Sequence, residues 1–373
     1  MLQEILTGVV FASGTWLLAL LVTSIPFIQR HVFYAHKLPI WWRQKLDVPE
    51  SFGFLHNQVT QWTLKTPDGT RLFAWLVIPI ACYLQHETEL ADVQDNDALR
   101  VKVRAIVRGD EERRLVIYFH GNASTVGSTR RTEAYRSISA FDSKSTFVLS
   151  FDYRGFGRST GYPTEQGLIG DAVSVIEWAR EELRVPYDRI VLLSQSLGTA
   201  VASAALCRYA SKIEPVPFAG LIMCAPFTSM ADVFMSFQIL PHVRPLQPLK
   251  YFPLLDNWFR RRLADTWQTS ENVRTILENY DKINLTFLHC TRDDVVPWRM
   301  TEELANVAHR KLSELGTADI TATDLGRGGR VKQWVLGGRN VRQVLVEHGA
   351  HNTIMKWAPV ALEVVRTLQR SNN

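Results

Sequence analysis

The stretch from Ile190 to Ala200 constrains this chain more than any other. The apolar run Ile190-Val191-Leu192-Leu193 enters Ser194-Gln195-Ser196-Leu197-Gly198, and the small residues Thr199 and Ala200 leave it. This pattern predicts a buried strand, a sharp elbow and a helix start, with Ser196 at the tip. The positions two before and two after Ser196 must be small, because the chain reverses too tightly for a large Cβ substituent. They are Ser194 and Gly198. The usual form of the motif has glycine at both, so Ser194 is a departure.

The rest of the chain supplies the sheet that such an elbow needs. Leu115-Val116-Ile117-Tyr118-Phe119 and the run from Thr146 to Phe151 are continuously apolar, as central parallel strands are. Further strands are predicted at residues 220–224, 285–290 and 341–346, and a hairpin at 59–66 and 71–78 around Pro67-Asp68-Gly69. Helical spacing appears over 129–140, 165–183, 301–315 and 357–368. Strands alternating with helices imply a mostly parallel sheet covered on both faces. Residues 83–113 are polar, acidic and without a clear period, and read as a surface insertion or part of a long hairpin. Two more stretches break the alternation. Residues 228–275 are rich in Phe, Trp, Pro and Arg, and residues 316–340 are Gly-rich and basic.

No charged residue occurs between Ile5 and Ile28. That length suffices for a bilayer, which takes about 20 residues. The leader carries Glu4 and no basic side chain, unlike a cleaved signal peptide. The expectation is a retained single span over residues 1–30, a juxtamembrane linker over 31–54 and one catalytic domain over 55–373. The predicted cap insertion covers about 228–275. Arg30, Lys37, Arg43 and Lys45 follow the span, which by the positive-inside rule places the domain on the cytosolic side. Trp41 and Trp42 read as an interfacial collar. The sequons at Asn122 and Asn284 fall where core elements are expected.

A serine hydroxyl needs a base to take its proton and a third group to orient that base. The predicted order is Ser, then an acid, then His, each after a late strand. The strand ending at Cys290 runs into Thr291-Arg292-Asp293-Asp294-Val295-Val296-Pro297, and the strand ending at Val346 runs into Glu347-His348-Gly349-Ala350-His351. Asp293 and His351 are the first choices, with Asp294 and His348 as alternatives. An oxyanion hole needs two backbone N–H groups aimed at the developing charge. Leu197 supplies one, and the His120-Gly121-Asn122-Ala123 turn supplies the other, from Asn122, with Gly121 allowing close approach.

The net charge of +5 is too small to argue for nucleic acid and suits weak attraction to an anionic membrane. No nucleic-acid partner, cofactor or metal is expected. There is no H-E-x-x-H, no P-loop ending and no pair of closely spaced cysteines. Arg260-Arg261-Arg262 reads as a solvated face or a contact with lipid phosphate.

Tyr118-Phe119-His120-Gly121-Asn122-Ala123, Asp152-Tyr153-Arg154-Gly155-Phe156-Gly157, Ser194-Gln195-Ser196-Leu197-Gly198 and Asp293-Asp294-Val295-Val296-Pro297 resemble the α/β-hydrolase superfamily. The chain is most similar to the abhydrolase-domain-containing protein 12 group, including its fungal members, over about residues 55–370. Pro248-Leu249-Lys250-Tyr251-Phe252-Pro253 resembles that group's cap. The resemblance implies an α/β-hydrolase fold and a membrane-anchored serine hydrolase of lysophospholipids or monoacylglycerols. It implies Ser196, Asp293 and His351 as triad, Asn122 and Leu197 as oxyanion donors, and an endomembrane such as the endoplasmic reticulum. That group's domain is expected in the lumen, opposite to the side the basic residues favour. A thioesterase, a hydrolase of specialised metabolites and a non-catalytic membrane scaffold are the rival readings.

Overall fold

The computed structural model describes residues 2–37, 44–141, 146–211, 215–238 and 244–371. Trp41, Trp42 and Arg43 of the expected collar lie outside the described residues. Strands β1 (Val59–Lys65), β2 (Arg71–Val77), β3 (Arg114–Phe119), β4 (Thr146–Phe151), β5 (Ile190–Gln195), β6 (Gly220–Cys224), β7 (Lys282–Cys290), β8 (Asp319–Asp324), β9 (Arg330–Leu336) and β10 (Gly338–Val346) form one ten-stranded sheet. Its order is β1-β2-β4-β3-β5-β6-β7-β10-β9-β8. From β4 to β10 the neighbours are parallel, and antiparallel strands flank them at both edges.

The helices are α1 (Leu2–Thr23), α2 (Pro26–Tyr34), α3 (Ile80–Gln85), α4 (Glu87–Ala91), α5 (Asn96–Gly109), α6 (Thr129–Phe141), α7 (Glu165–Glu182), α8 (Leu197–Ala210), α9 (Met230–Ser236), α10 (Pro253–Arg261), α11 (Thr269–Asn279), α12 (Trp298–Leu315) and α13 (Ala358–Ser371). Side-chain alternation along the central strands separates two cores. Leu115, Ile117 and Phe119 of β3 join the helical layer containing α7, α8, α11 and α12, whereas Val116 and Tyr118 face α6 and α13. Both faces are buried, so the strands read as unbroken apolar runs.

Two stretches depart from expectation. Residues 83–113, expected to lack a period, hold the end of α3, then α4 and α5, and no hairpin strand before β3 begins at Arg114. Leu99, Val103, Ile106 and Val107 of α5 are buried at helical spacing, and Asp95 caps its first turn through the Ala98 N–H at 2.8 Å. The exposed Val101 and Ala105 on its outer face blur the apolar period. Residues 316–340 extend the sheet, with β8 and β9 pairing as a hairpin beside β10.

Between β6 and α11 lie α9 and α10. Ala231, Leu249, Phe259 and Leu263 of this segment form a small cluster with Leu20 of α1. The segment Leu6–Thr23 of α1 is long and apolar enough to cross a membrane and is almost entirely unburied.

Candidate active site

The elbow is built by three neighbouring strands. Ser196 follows β5 with φ +50° and ψ −118°, a region that only a tightly supported non-glycine residue occupies. Its N–H donates to the Cys224 carbonyl at 3.0 Å. A Cβ at Gly198 would lie 2.1 Å from the Phe119 carbonyl oxygen, so helix α8 can start this close to β3 only with glycine there. Ser194 is tolerated because it is fully buried and donates its hydroxyl to the Ile222 carbonyl at 2.8 Å.

Strands β7 and β10 run parallel, with Cys290 opposite Val346. The loops that leave them are therefore neighbours. Asp293 Oδ2 lies 2.8 Å from His351 Nδ1. Asp294 and His348 are exposed on the same loops. Oδ1 of Asp293 accepts the N–H groups of Val295 at 2.9 Å and Val296 at 2.8 Å. Burial pushes the Asp293 carboxyl up, but hydrogen bonds from His289 and His351 outweigh it and hold the group well below the ordinary carboxylate range. A carboxylate acceptor at Nδ1 leaves Nε2 of His351 with its lone pair. Ser196 and His351 line one polar cavity of about 370 Å³.

Three side chains that the motifs do not single out hold this arrangement. His289 Nε2 lies 3.1 Å from Asp293 Oδ2 and 3.1 Å from the Val296 carbonyl, both acceptors, so it carries the proton. Its Nδ1 then accepts from the Thr301 hydroxyl at 2.6 Å. Gln195 donates to the His351 carbonyl at 2.8 Å and ties that loop to the elbow. Arg131 is buried and donates to the carbonyls of Gly121 at 2.9 Å, Ala123 at 2.7 Å and Thr125 at 2.7 Å. A histidine one residue before the end of a strand, and an arginine nine residues after Asn122, are the traces of these roles in the sequence.

The turn after β3 comes close to Ser196. A Cβ at Gly121 would touch Ser196 Cβ at 3.5 Å, an ordinary contact, so glycine is not strictly required for space there. Ala123 and Ser124 adopt left-handed φ values of 61° and 58°. Arg131 thus gathers the carbonyls of this turn on one side chain. Leu197 is the first residue of α8, where no preceding helical carbonyl is available to its N–H. The Asn122 side chain donates to the Phe33 carbonyl at the end of α2.

Ser196, Leu197 and Asn122 also line a second cavity of about 420 Å³ whose remaining walls are almost wholly apolar. Phe33, Phe227, Val233, Phe234, Phe259 and Val296 contribute to it. Ser196 thus stands where a polar and an apolar cavity meet. The arginine run is not uniformly solvated. Arg260 bonds Asp256 at 2.9 Å, and Arg262 lies over the Trp258 ring.

The Alpha/beta hydrolase family profile matches residues 116–331, which include Ser196 and Asp293 and end before His351. Lysophosphatidylserine lipase ABHD12 of Gallus gallus is 27% identical over 293 residues, covering 77% of this chain and 68% of the relative. The Bos taurus protein of the same name is also 27% identical, with 65% of its length covered. Protein bem46 of Schizosaccharomyces pombe is 26% identical over 79% of this chain and 81% of its own. Among solved structures, an alpha-beta hydrolase from Vibrio vulnificus superposes with a TM-score of 0.57 at 14% identity, covering 94% of this chain and 93% of the other. The Pyrococcus furiosus esterase Pf2001 gives 0.51 at 16% identity, covering 86% and 93%. With more than half of its length matched by the profile and the ten-stranded sheet carrying an elbow serine after β5, the chain belongs to the alpha/beta hydrolase family.

Proposed function

We propose that this protein is a membrane-anchored serine hydrolase that releases the acyl chain of a lysophospholipid or monoacylglycerol through an acyl-enzyme on Ser196. That it is a carboxylester hydrolase rests on the family and on relatives named as lipases and esterases. One observation carries the lipid substrate: Ser196 lies at the junction of an apolar cavity and a polar one. The apolar cavity suits an acyl chain. The polar cavity, lined by Ser124, Ser128, Arg130 and Asn352, suits a head group.

In the proposed mechanism the Ser196 hydroxyl attacks the ester carbonyl as its proton passes to Nε2 of His351. Asp293 holds the ring through Nδ1 and offsets the charge of the imidazolium. The N–H groups of Leu197 and Asn122 receive the oxyanion. Collapse expels the head-group alcohol, which takes the proton from His351. Water then attacks the acyl-enzyme with His351 again as base, releasing the fatty acid and restoring Ser196. Helix α1 serves as a single membrane span in an endomembrane, with the domain standing on the side of its C-terminal end.

The test is fatty-acid release from lysophospholipids, monoacylglycerols and acyl thioesters by membranes carrying wild type or Ser196→Ala. Release from one of the lipid classes that vanishes in Ser196→Ala is the expected result. Ser196-dependent cleavage of thioesters or short soluble esters alone would overturn the lipid assignment.

A further inference from the structure

The apolar cavity has a wall that a mere tether would not supply. Trp16, Ala19, Leu20 and Thr23 of α1 line it together with Ser196. Their spacing places them along one face of the helix. Because α1 is apolar all round, nothing in its sequence marks that face.

The helix is also fixed in place. The Trp16 indole N–H donates to the Pro245 carbonyl at 2.6 Å, and Leu20 is only 2% exposed within its small apolar cluster. In α2, Gln29 accepts the Ala264 N–H at 2.8 Å and donates to the Arg262 carbonyl at 3.2 Å. Arg30 bonds the buried Asp265 carboxylate at 2.9 Å. Tyr34, wholly buried, donates to the same carboxylate at 3.1 Å. Asp265 in turn accepts the Glu165 N–H at the start of α7, joining the N-terminal pair to the hydrolase body. The outward side chain Leu18 remains 61% exposed. One face of the helix therefore belongs to the cavity and the other is left for lipid.

We infer that α1 is part of the acyl-binding site, so that residues of the membrane helix set the chain-length preference and the acyl chain enters beside it from the bilayer. This inference rests on the lipid-hydrolase reading above. Ala19 both lines the cavity and is exposed, so the cavity reaches the surface next to the helix. Entry there avoids bringing the chain through water, where every exposed methylene is unfavourable.

The test uses the full-length protein in phospholipid nanodiscs and compares kcat/KM for butyryl- and oleoyl-glycerol. Ala19→Trp narrows the cavity and should lower the oleoyl-to-butyryl ratio by about tenfold or more. Leu18→Trp, on the opposite face, should leave the ratio at the wild-type value. Labelling of Ser196 by a small fluorophosphonate reports that the site has folded. If Ala19→Trp fails to label, Trp16→Ala decides: it widens the cavity and should shift the ratio toward longer or bulkier chains. An unchanged ratio in a labelled Ala19→Trp protein, an equal shift in Leu18→Trp, or no shift in Trp16→Ala would overturn the inference while the hydrolase reading stands. Absence of any Ser196-dependent release by wild type would overturn both.

Discussion

Asp293 Oδ2 and His351 Nδ1 lie 2.8 Å apart across loops that leave two neighbouring parallel strands. The pairing of Cys290 with Val346 brings those loops together, and the N–H groups of Val295 and Val296 aim the carboxylate. If Asp293 orients the base, Asp293→Asn should reduce kcat by about 10⁴. Asp294→Asn, altering an exposed side chain, should leave kcat close to wild type. Steady-state hydrolysis by the two variants checks this.

His289 donates to Oδ2 of Asp293, the same oxygen that His351 Nδ1 faces. Removing the donor in His289→Phe should lower kcat by about tenfold, equivalent to about 1.4 kcal/mol. It should also move the acid limb of the kcat/KM profile to higher pH, because one of the two side-chain hydrogen bonds that counter burial at Asp293 is gone. A purely structural role would lower the melting temperature without moving that limb.

Arg131 gathers the carbonyls of the turn after β3. Arg131→Leu leaves several buried carbonyls without a donor, at about 1–3 kcal/mol each. The expected result is a stability loss of about 3 kcal/mol or more in urea titrations. For protein still folded, kcat should fall by up to about 10³, the range for a lost oxyanion donor.

Asp152 is wholly buried, and burial pushes its carboxyl up to about 7 against the opposing charge of Arg131. The nearby His120, 3.8 Å away, is pushed the other way by burial. Between about pH 4 and 7 the folded state holds a proton on Asp152 that the unfolded chain has lost. Stability from this group is therefore present at low pH and declines as pH rises through about 7. Asp152→Asn should remove that component. The stability of wild type relative to the variant should fall from about pH 4 to 7 and level off above, as measured by urea unfolding across that range.

The parallel strands were readable because burial on both faces leaves unbroken apolar runs such as Leu115–Phe119. Helix α5 is less so, since the exposed Val101 and Ala105 blur the spacing of Leu99, Val103 and Ile106. Strand order alone singled out the loops after β7 and β10. It left Asp293 beside Asp294 and His348 beside His351, because exposure and hydrogen bonding separate them rather than residue type. Arg131, His289 and Gln195 act on groups distant in sequence and carry no local motif. The cavity-facing side of α1 is equally silent, since every face of that helix is apolar.

The most direct test is the site of covalent modification. Full-length protein treated with a fluorophosphonate, digested and mapped by mass spectrometry should carry the adduct on Ser196, with labelling strongly reduced in His351→Ala and hydrolysis abolished in Ser196→Ala. An adduct on another residue, or ester hydrolysis that persists in Ser196→Ala, would contradict the proposed mechanism.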